Sequence, residues 1–303
     1  MKVRIETVGD FKSGLGHLTR MQVLAEELAE KFKADVVLAD ANAELETDAD
    51  LVIVDVDQYN DAHARVMLVQ QEIPNARIMV FRNGKDWDDL GVDSTIIPKW
   101  SNVILHRAFR QPVDRQHNQQ PGVITVFQGA SDPWGLTPRV MNVLDLLYMR
   151  ARIFCVLGAA VSDLTMTTMN QFNRNTRLMN VNTVVNADQP TMAELFSVSD
   201  IAILPPGQAW AEAAAMQCPT IILGHHQRHY DEGEKIRKKN AGLHLGVGVG
   251  MDDMELVKGL SAALERMLNM SVRMGYVSNA LKMVNVDGVD KILHEIKGIM
   301  NVA

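Results

Sequence analysis

Short apolar runs rich in β-branched residues alternate with segments of helical periodicity along most of the chain. This alternation predicts βα units and parallel sheets, and runs that are apolar at nearly every position are typical of strands covered on both faces. The predicted strands are residues 3–8, 35–39, 51–56, 77–81, 94–97, 123–127, 153–157, 201–204 and 220–223. The predicted helices are residues 18–32, 62–71, 138–150, 192–198, 209–217, 229–240, 252–268 and 272–299.

The alternation stops at RQPVDRQHNQQPG, residues 110–122, which holds four glutamines, two prolines and no sustained apolar pattern. We therefore predict an N-terminal Rossmann-like domain over residues 1–112, a linker over 113–120 and a C-terminal Rossmann-like domain over 121–303, with the last helix packing back on the first domain. The predicted fold class is α/β, with two doubly wound domains that face each other across a cleft. Ligands of such folds bind at the carboxyl ends of the strands.

The composition excludes several classes of protein. A chain of 303 residues with 47% hydrophobic content can bury a sizeable core, so it is neither disordered nor fibrous. Its formal net charge of -7 gives no chain-wide positive field to hold nucleic acid or an anionic membrane. Cys155 and Cys218 lie in apolar stretches and are predicted core residues of a reduced compartment. No apolar run approaches the roughly 20 residues of a membrane-spanning helix, and the start does not have a signal-peptide pattern, so we expect a cytoplasmic protein.

The stretch KSGLGHLTRM, residues 12–21, links the first predicted strand to the first predicted helix. Gly14 and Gly16 would let the backbone approach a ligand closely. The stretch lacks the Gly-Lys-Ser/Thr ending of a P-loop and the third glycine of a dinucleotide fingerprint. His17 follows the second glycine, and Arg20 lies one turn later. A histidine there could take a proton from an attacking hydroxyl or water, or it could cap or pack the helix.

Two strand-to-helix turns in the second half of the chain could meet a diphosphate. They lie in VFQGASDPWGL, residues 126–136, and in LPPGQAWAE, residues 204–212. The structural alternatives are an ordinary Asp-Pro helix start for the first turn and a solvated helix charge for Glu212. Candidate binding residues at these turns are Gly129, Ser131, Asp132, Gly207, Gln208, Ala209 and Glu212, and His226 and Gln227 follow the next predicted strand.

A metal site is weighed at HHQRHYDEGE, residues 225–234, where three histidines and three carboxylates fall within ten residues. No spacing in it matches a metalloprotease helix. We expect this segment to line the ligand site and to bind no metal.

Six motifs over roughly residues 1–245 occur in the order found in one known family. With these motifs the chain resembles the PseG/SpsG group of nucleotide-sugar proteins, relatives of the MurG-type glycosyltransferases with a GT-B fold. The motifs are G-x-G-H-x-x-R at 14–20, Asp57-Gln58-Tyr59, LHRAFR at 105–110, GASDP at 129–133, AILPPGQAWAE at 202–212 and GHHQ at 224–227.

The resemblance implies a UDP-sugar held mainly by the second domain, with its diphosphate and ribose at residues 207–212. It implies that His17 is the base or the water-orienting residue, and that Tyr59 lies near the sugar, as do Gly14, Gly16 and Arg20. Pro206-Gly207-Gln208-Ala209 replaces the family's Gly-Gly-x-Thr turn, and His226-Gln227 replaces its Asn-Gln pair. These departures leave the nucleotide and the sugar open.

The leading hypothesis is an inverting glycosyltransferase that uses a UDP-sugar, with His17 as general base on the acceptor hydroxyl and with no cofactor or metal. The alternative is a PseG-like hydrolase in which His17 activates water. A sugar-nucleotide 2-epimerase and a non-catalytic nucleotide-sugar sensor are further hypotheses. The acceptor stays open among a glycan, a lipid, a protein side chain and a modified nucleobase, the last being the one case that involves nucleic acid. The oligomeric state stays open as well.

Overall fold

The computed structural model describes residues 1–8, 16–45, 48–56, 59–81, 91–97, 100–147, 150–177 and 180–301. The chain forms two compact units. Unit 1 combines Met1–His106 with Asn285–Ala303, and unit 2 is Arg107–Val284.

Unit 1 contains a five-stranded parallel sheet in the order β2-β1-β3-β4-β5. The strands β3 and β4 are mostly apolar on both faces, as expected for a sheet covered by helices on each side, whereas β1 carries a buried ion pair on one face. Val3, Ile5 and Ile53 pack on one face, while Val52 and Val54 pack on the other. The strands are β1 Lys2–Thr7, β2 Asp35–Asp40, β3 Leu51–Asp55, β4 Arg77–Phe81 and β5 Ser94–Ile96, and the first two helices are α1 Gly16–Phe32 and α2 Tyr59–Glu72.

Unit 2 contains a six-stranded parallel sheet in the order β11-β10-β9-β6-β7-β8. Its strands are β6 Val123–Phe127, β7 Arg152–Leu157, β8 Val181–Val185, β9 Ile201–Leu204, β10 Thr220–Gly224 and β11 Leu243–Val247. Its helices are α3 Leu136–Leu146, α4 Asp163–Asn175, α5 Gln189–Val198, α6 Gln208–Ala215, α7 Gln227–Lys238, α8 Asp253–Leu268 and α9 Met270–Met283. Both cysteines are buried in this unit, and burial raises the pKa of each thiol to about 12.

Several helices of unit 2 begin at residues that satisfy their free amide groups. Ser162 accepts a hydrogen bond from the Thr165 amide at the start of α4. Asp252 and Glu255 form a reciprocal capping box at the start of α8. These local signals define where the helices begin without help from the core.

The last helix, α10 Gly288–Met300, belongs to unit 1. Val289, Ile292, Leu293 and Ile296 are buried in the same core cluster as β1 and α1. Lys31 of α1 contacts Asp290, and the Ser94 hydroxyl donates to Glu295 at 2.9 Å. Unit 1 therefore takes its final layer from the far end of the chain.

The structure differs from the sequence prediction in several places. The elements α4, β8 and β11 are present although the sequence pattern did not predict them. The helix predicted over 272–299 is two helices, since α9 ends at Met283 and α10 begins at Gly288. The unit boundary lies between His106 and Arg107, so the segment predicted as a linker is part of unit 2.

Hydrogen bonds anchor that segment to unit 2. The Arg115 guanidinium donates to the carbonyl groups of Phe196, Ser199 and Met216. The Asn118 amide donates to the Asp200 carboxylate at 3.0 Å. The segment is thus a fixed part of the unit, although it buries few apolar side chains.

Candidate functional site

The strand order gives one candidate site in each unit. In unit 1 the order reverses direction at β1 and β3, and in unit 2 it reverses at β6 and β9. Doubly wound folds bind ligands beyond the carboxyl ends of the strands at such switch points. Thr7 and Asp55 end the two strands of unit 1, and Phe127 and Leu204 end those of unit 2.

Three charged or titratable side chains meet at the switch point of unit 1. His17 lies in the first turn of α1, and its Nδ1 is 3.1 Å from Oδ1 of Asp55. Arg20, one turn later, donates from Nε to Oδ2 of Asp55 at 2.8 Å, and its Nη2 contacts Oδ1. The same Nη2 is 2.9 Å from His17 Nδ1. Asp55 is fully buried and His17 is 6% exposed, so the three groups hold one another in a fixed arrangement.

The Asp55 carboxylate is ionised at neutral pH. Burial alone would raise its pKa, but the positive charge of Arg20 and hydrogen bonds from His17 and Arg20 bring the pKa below its usual 3.8. In the tautomer in which His17 Nδ1 donates to this carboxylate, Nε2 carries no hydrogen and is the ring nitrogen that can take up a proton. A buried carboxylate that orients an imidazole in this way is the arrangement that serves general-base catalysis.

This geometry disfavours phosphate binding beside His17. A phosphate next to the first turn of α1 would have to compete with the Asp55 carboxylate for the Arg20 guanidinium. Arg20 is bonded to both oxygens of Asp55, so its charge is balanced within the protein. The arrangement favours proton transfer over phosphate binding at this switch point.

The predicted residues around His17 fall partly outside the described structure. Gly14, Asp57 and Gln58 lie outside the described residues. Tyr59 begins α2, and its side chain lies outside the described part as well. Gly16 begins α1 and is exposed, and a Cβ atom there would meet no described atom within 4 Å.

Sequence reasoning missed Asp55. One signal for it was present, because LVIVD places a single carboxylate at the end of a strand whose other residues are all apolar. A charge at that position must be paired when the strand is covered on both faces. The pairing with His17 and Arg20 bridges well-separated stretches of sequence, so only the fold reveals it.

At the switch point of unit 2, the turn after β9 leaves its backbone open. Gly207 has φ 127° and ψ −146°, a conformation available only to glycine, and no side chain caps α6 at this residue. A Cβ atom at Gly207 would meet no described atom within 4 Å. The amide groups of Gln208 and Ala209 begin the helix, and its first turn, where the dipole is positive, contains no acidic residue.

The turn after β6 is closed by its own carboxylate. Asp132 accepts hydrogen bonds from the amide groups of Leu136 and Thr137, each at 2.8 Å, and is 2% exposed. This is the structural alternative, an Asp that starts a helix. Gly129 has φ 88° with no described atom within 4 Å of a Cβ position, and Ser131 is buried. Of the two turns, the one at Gly207 is the more accessible to an anion.

Glu212 lies in the second turn of α6 and is 5% exposed. Burial raises its pKa to about 7, and a hydrogen bond with Gln208 opposes part of that rise. Glu212 is therefore a buried carboxyl group and not the solvated helix charge that was the structural alternative.

Four aromatic rings meet beyond the ends of β6 and β10. Trp134 and His225 have ring centroids 5.6 Å apart at an interplanar angle of 77°, and His226 and His229 are 4.0 Å apart. Burial and the neighbouring His226 lower the pKa of His225 to about 4, and similar causes lower that of His229 to about 3. These two imidazoles are neutral at pH 7. Gln227 is exposed and donates to Asp231 at 3.0 Å.

Comparison with known proteins was informative only for structure. No protein-family model matches the chain, and no curated protein matches it. MurG of Acinetobacter baumannii matches with TM-score 0.64 at 12% identity over 98% of this chain and 99% of its own. MnaA of S. aureus, solved with UDP, matches with TM-score 0.62 at 12% identity over 100% and 98%. The spinosyn rhamnosyltransferase SpnG, solved with spinosyn aglycone, matches with TM-score 0.59 at 12% identity over 97% and 100%.

The chain has the GT-B fold. The predicted fold class, two parallel-sheet α/β domains of this type, is therefore confirmed. Glycosyltransferases and UDP-N-acetylglucosamine 2-epimerases both occur among the solved structures with the GT-B fold.

Two further features of this GT-B chain bear on its chemistry. Within the described ranges, no group of three or more His, Cys, Asp or Glu side chains is arranged to hold a metal ion. None of the described helices is both long enough and apolar enough to cross a bilayer.

Proposed function

We propose that the protein is a nucleotide-sugar-dependent glycosyltransferase in which His17 is the general base. The observation that carries this proposal is the buried contact between His17 and Asp55 at the switch point of unit 1. The fold shared with a rhamnosyltransferase supports a transfer reaction. The resemblance of the G-x-G-H-x-x-R motif to nucleotide-sugar proteins supports the same role for His17.

In the proposed reaction, an acceptor hydroxyl attacks the anomeric carbon of the sugar. Its proton passes to Nε2 of His17, the new C–O bond forms, and the bond between the anomeric carbon and the diphosphate breaks. UDP leaves with the electron pair, and the configuration at carbon inverts. Asp55 stabilises the imidazolium that forms. The proposed reaction uses neither a metal ion nor a cofactor.

We propose that unit 2 binds the donor. The open turn at Gly207 and the first amide groups of α6 would receive the diphosphate of a UDP-sugar. The structure of MnaA, which was solved with UDP, supports uridine as the nucleoside of the donor. Glu212, Gly129, Ser131, His226 and Gln227 are the remaining donor residues of the proposal, with Asp132 acting by fixing the turn that carries Ser131.

The test is release of UDP from a panel of UDP-sugars, with and without candidate acceptors. Acceptor-dependent release is expected from the wild type. His17→Ala is expected to lower the rate by roughly 10²–10⁴-fold, as for loss of a general base. His294→Ala removes an exposed histidine of unit 1 and is the matched control with an unchanged rate. A His17→Ala variant as fast as the wild type would overturn the proposal.

The same assay separates the alternatives. Release of UDP and free sugar in water alone would identify a hydrolase, which the G-x-G-H-x-x-R motif favours as second candidate. Conversion of the sugar with UDP still attached would identify a 2-epimerase. Binding of a donor that stays intact over hours would identify a sensor.

A further inference from the structure

Thr7 ends β1 directly beside the His17–Asp55–Arg20 group. Thr7 and Asp55 are in-register partners on neighbouring parallel strands, which lie about 4.8 Å apart. Val3 and Ile5 of β1 pack in the same core cluster as Leu51 and Ile53 of β3. Because side chains alternate along a strand, Thr7 and Asp55 lie on that same face of the sheet.

The Thr7 hydroxyl is buried without a partner. The residue is 3% exposed, and its Oγ1 has no hydrogen-bond partner within the part of the chain that the structure describes. Leaving a buried hydroxyl unsatisfied destabilises the folded state. Valine has nearly the same shape, favours strands equally and would avoid that cost. A hydroxyl at this position is therefore best explained by a partner that arrives with a ligand.

The charges around Thr7 define what kind of ligand fits. Asp55 is ionised and fully buried, and Arg20 is bonded to both of its oxygens. These two charges cancel. Because they cancel, neither an anionic nor a cationic ligand beside Thr7 would meet a net opposite charge from this pair. An uncharged group that both donates and accepts hydrogen bonds suits the position, which describes an alcohol.

We propose that the Thr7 hydroxyl binds a hydroxyl of an uncharged carbohydrate acceptor, next to the hydroxyl that His17 deprotonates. The inference rests on the proposed function and adds the acceptor's class to it. Thr7 and the His17–Asp55 pair stand side by side at the ends of adjacent strands. They would accordingly contact neighbouring hydroxyl groups of one sugar ring.

The experiment compares Thr7→Val, which removes the hydroxyl and keeps the shape, with Thr7→Ser, which keeps the hydroxyl. Probes are neutral methyl glycosides that support UDP release by the wild-type full chain, and their singly deoxygenated derivatives. For Thr7→Val, KM for the glycoside is expected to rise roughly tenfold, the size of one lost hydrogen bond. The KM of this variant for the donor is expected to stay unchanged. Its thermal midpoint of unfolding is expected to stay unchanged or to rise. Thr7→Ser stays near wild type.

The deoxy derivatives supply the decisive comparison. For one deoxy derivative, the KM of the wild type is expected to be higher than for the parent glycoside by the same factor of roughly ten. The KM of Thr7→Val should be the same for that derivative and for the parent glycoside. An active wild type with an unchanged KM in Thr7→Val would overturn this inference alone. The inference would also be overturned if no neutral glycoside supported UDP release by the wild type. The same holds if Thr7→Val and Thr7→Ser showed equal rises in KM and lower thermal midpoints. A wild type that releases UDP from no donor would overturn the proposed function as well.

Discussion

Asp55 lies at the end of a strand, and it holds His17 and Arg20 in one hydrogen-bonded group. In the proposed reaction Asp55 acts through its negative charge, since a neutral carboxamide of the same shape could not stabilise the imidazolium of His17. In the proposed mechanism His17 is the tautomer with its hydrogen on Nδ1, which donates to Asp55.

Asp55→Asn tests this role. The variant keeps the shape of the side chain but lets its amide donate to Nδ1, which leaves the proton on Nε2 and removes the base. We expect kcat for UDP release to fall by roughly 10²–10⁴-fold, the usual contribution of general-base catalysis. Asp35→Asn, an exposed carboxylate at the start of β2, is the matched control with wild-type kinetics. Full activity in Asp55→Asn would remove Asp55 from the mechanism.

Glu212 gives a second prediction, for stability. Its pKa is raised from the usual 4.5 to about 7 by burial, so between these pH values the folded state holds a proton that the unfolded chain has lost. The free energy of unfolding therefore falls as pH rises from about 4.5 to about 7. A pKa rise of this size corresponds to about 3 kcal/mol as an upper figure.

In Glu212→Gln this pH-dependent fall is expected to disappear, so the variant gains stability over the wild type on going from pH 5 to pH 8. Urea unfolding at the two pH values measures it. Glu265→Gln, on an exposed position of α8, should leave the wild-type profile in place. Identical pH profiles for wild type and Glu212→Gln would contradict the raised pKa.

At the residue scale, a histidine after a glycine turn is a local pattern that made His17 a candidate, and the family resemblance implied its catalytic role. The sequence could not predict Asp55, since the value of that carboxylate depends on packing of β3 against α1. It likewise offered Asp132 as a ligand or a helix start, and only the hydrogen bonds to Leu136 and Thr137 distinguish the two.

Among elements, α10 shows how one glycine permits a close approach. A Cβ atom at Gly288 would lie 2.3 Å from the Val103 carbonyl oxygen, whereas one at Gly298 in the same helix would meet no described atom within 4 Å. The start of α10 therefore packs against backbone that cannot move aside easily.

Gly288→Ala and Gly298→Ala should change stability in opposite directions. We expect Gly288→Ala to lower the free energy of unfolding by roughly 1–3 kcal/mol because of the clash. Gly298→Ala should raise it by up to about 1 kcal/mol, since alanine favours the helix. Chemical unfolding of both variants measures the pair, and equal effects of the same sign would refute the close contact.

Elements with strong apolar periodicity were predictable, and weakly apolar ones were not. The strands β6, β9 and β4 lie where the pattern placed them. The edge strand β8, with a half-exposed VNTVV sequence, has too little contrast between its faces to be predicted. The break between α9 and α10 depends partly on the Asn285 amide, which donates to the Trp100 carbonyl in a distant part of the chain.

In the whole molecule, the segment that the sequence predicted as a linker belongs to unit 2, and the reason for the difference is physical. Periodicity detects segments that bury apolar side chains, while residues 113–120 are fixed by Arg115, Asn118 and Arg273 through backbone and carboxylate hydrogen bonds. Such anchoring leaves no apolar pattern in the sequence. The parallel α/β class, in contrast, follows from alternation along the whole chain, and it is what the solved GT-B structures share.

Deletion of residues 285–303 is expected to unfold unit 1. It removes Val289, Ile292, Leu293 and Ile296, all at most 4% exposed, from the core that α1 and β1 share. Four such side chains contribute roughly 6–12 kcal/mol, which is comparable to the whole stability of a domain. Calorimetry should show the transition of unit 2 retained and that of unit 1 lost. An unaltered unit 1 transition would contradict this account.

Completion of unit 1 by α10 also imposes an order on synthesis. At usual elongation rates the ribosome needs roughly 10–40 s to make unit 2 after the first 106 residues have emerged. During that time the nascent sheet of unit 1 exposes the apolar surface that α10 later covers. Unit 2 is thus the first part able to reach its native state. The N-terminal part of unit 1, although it is made first, needs protection by chaperones for the longest time.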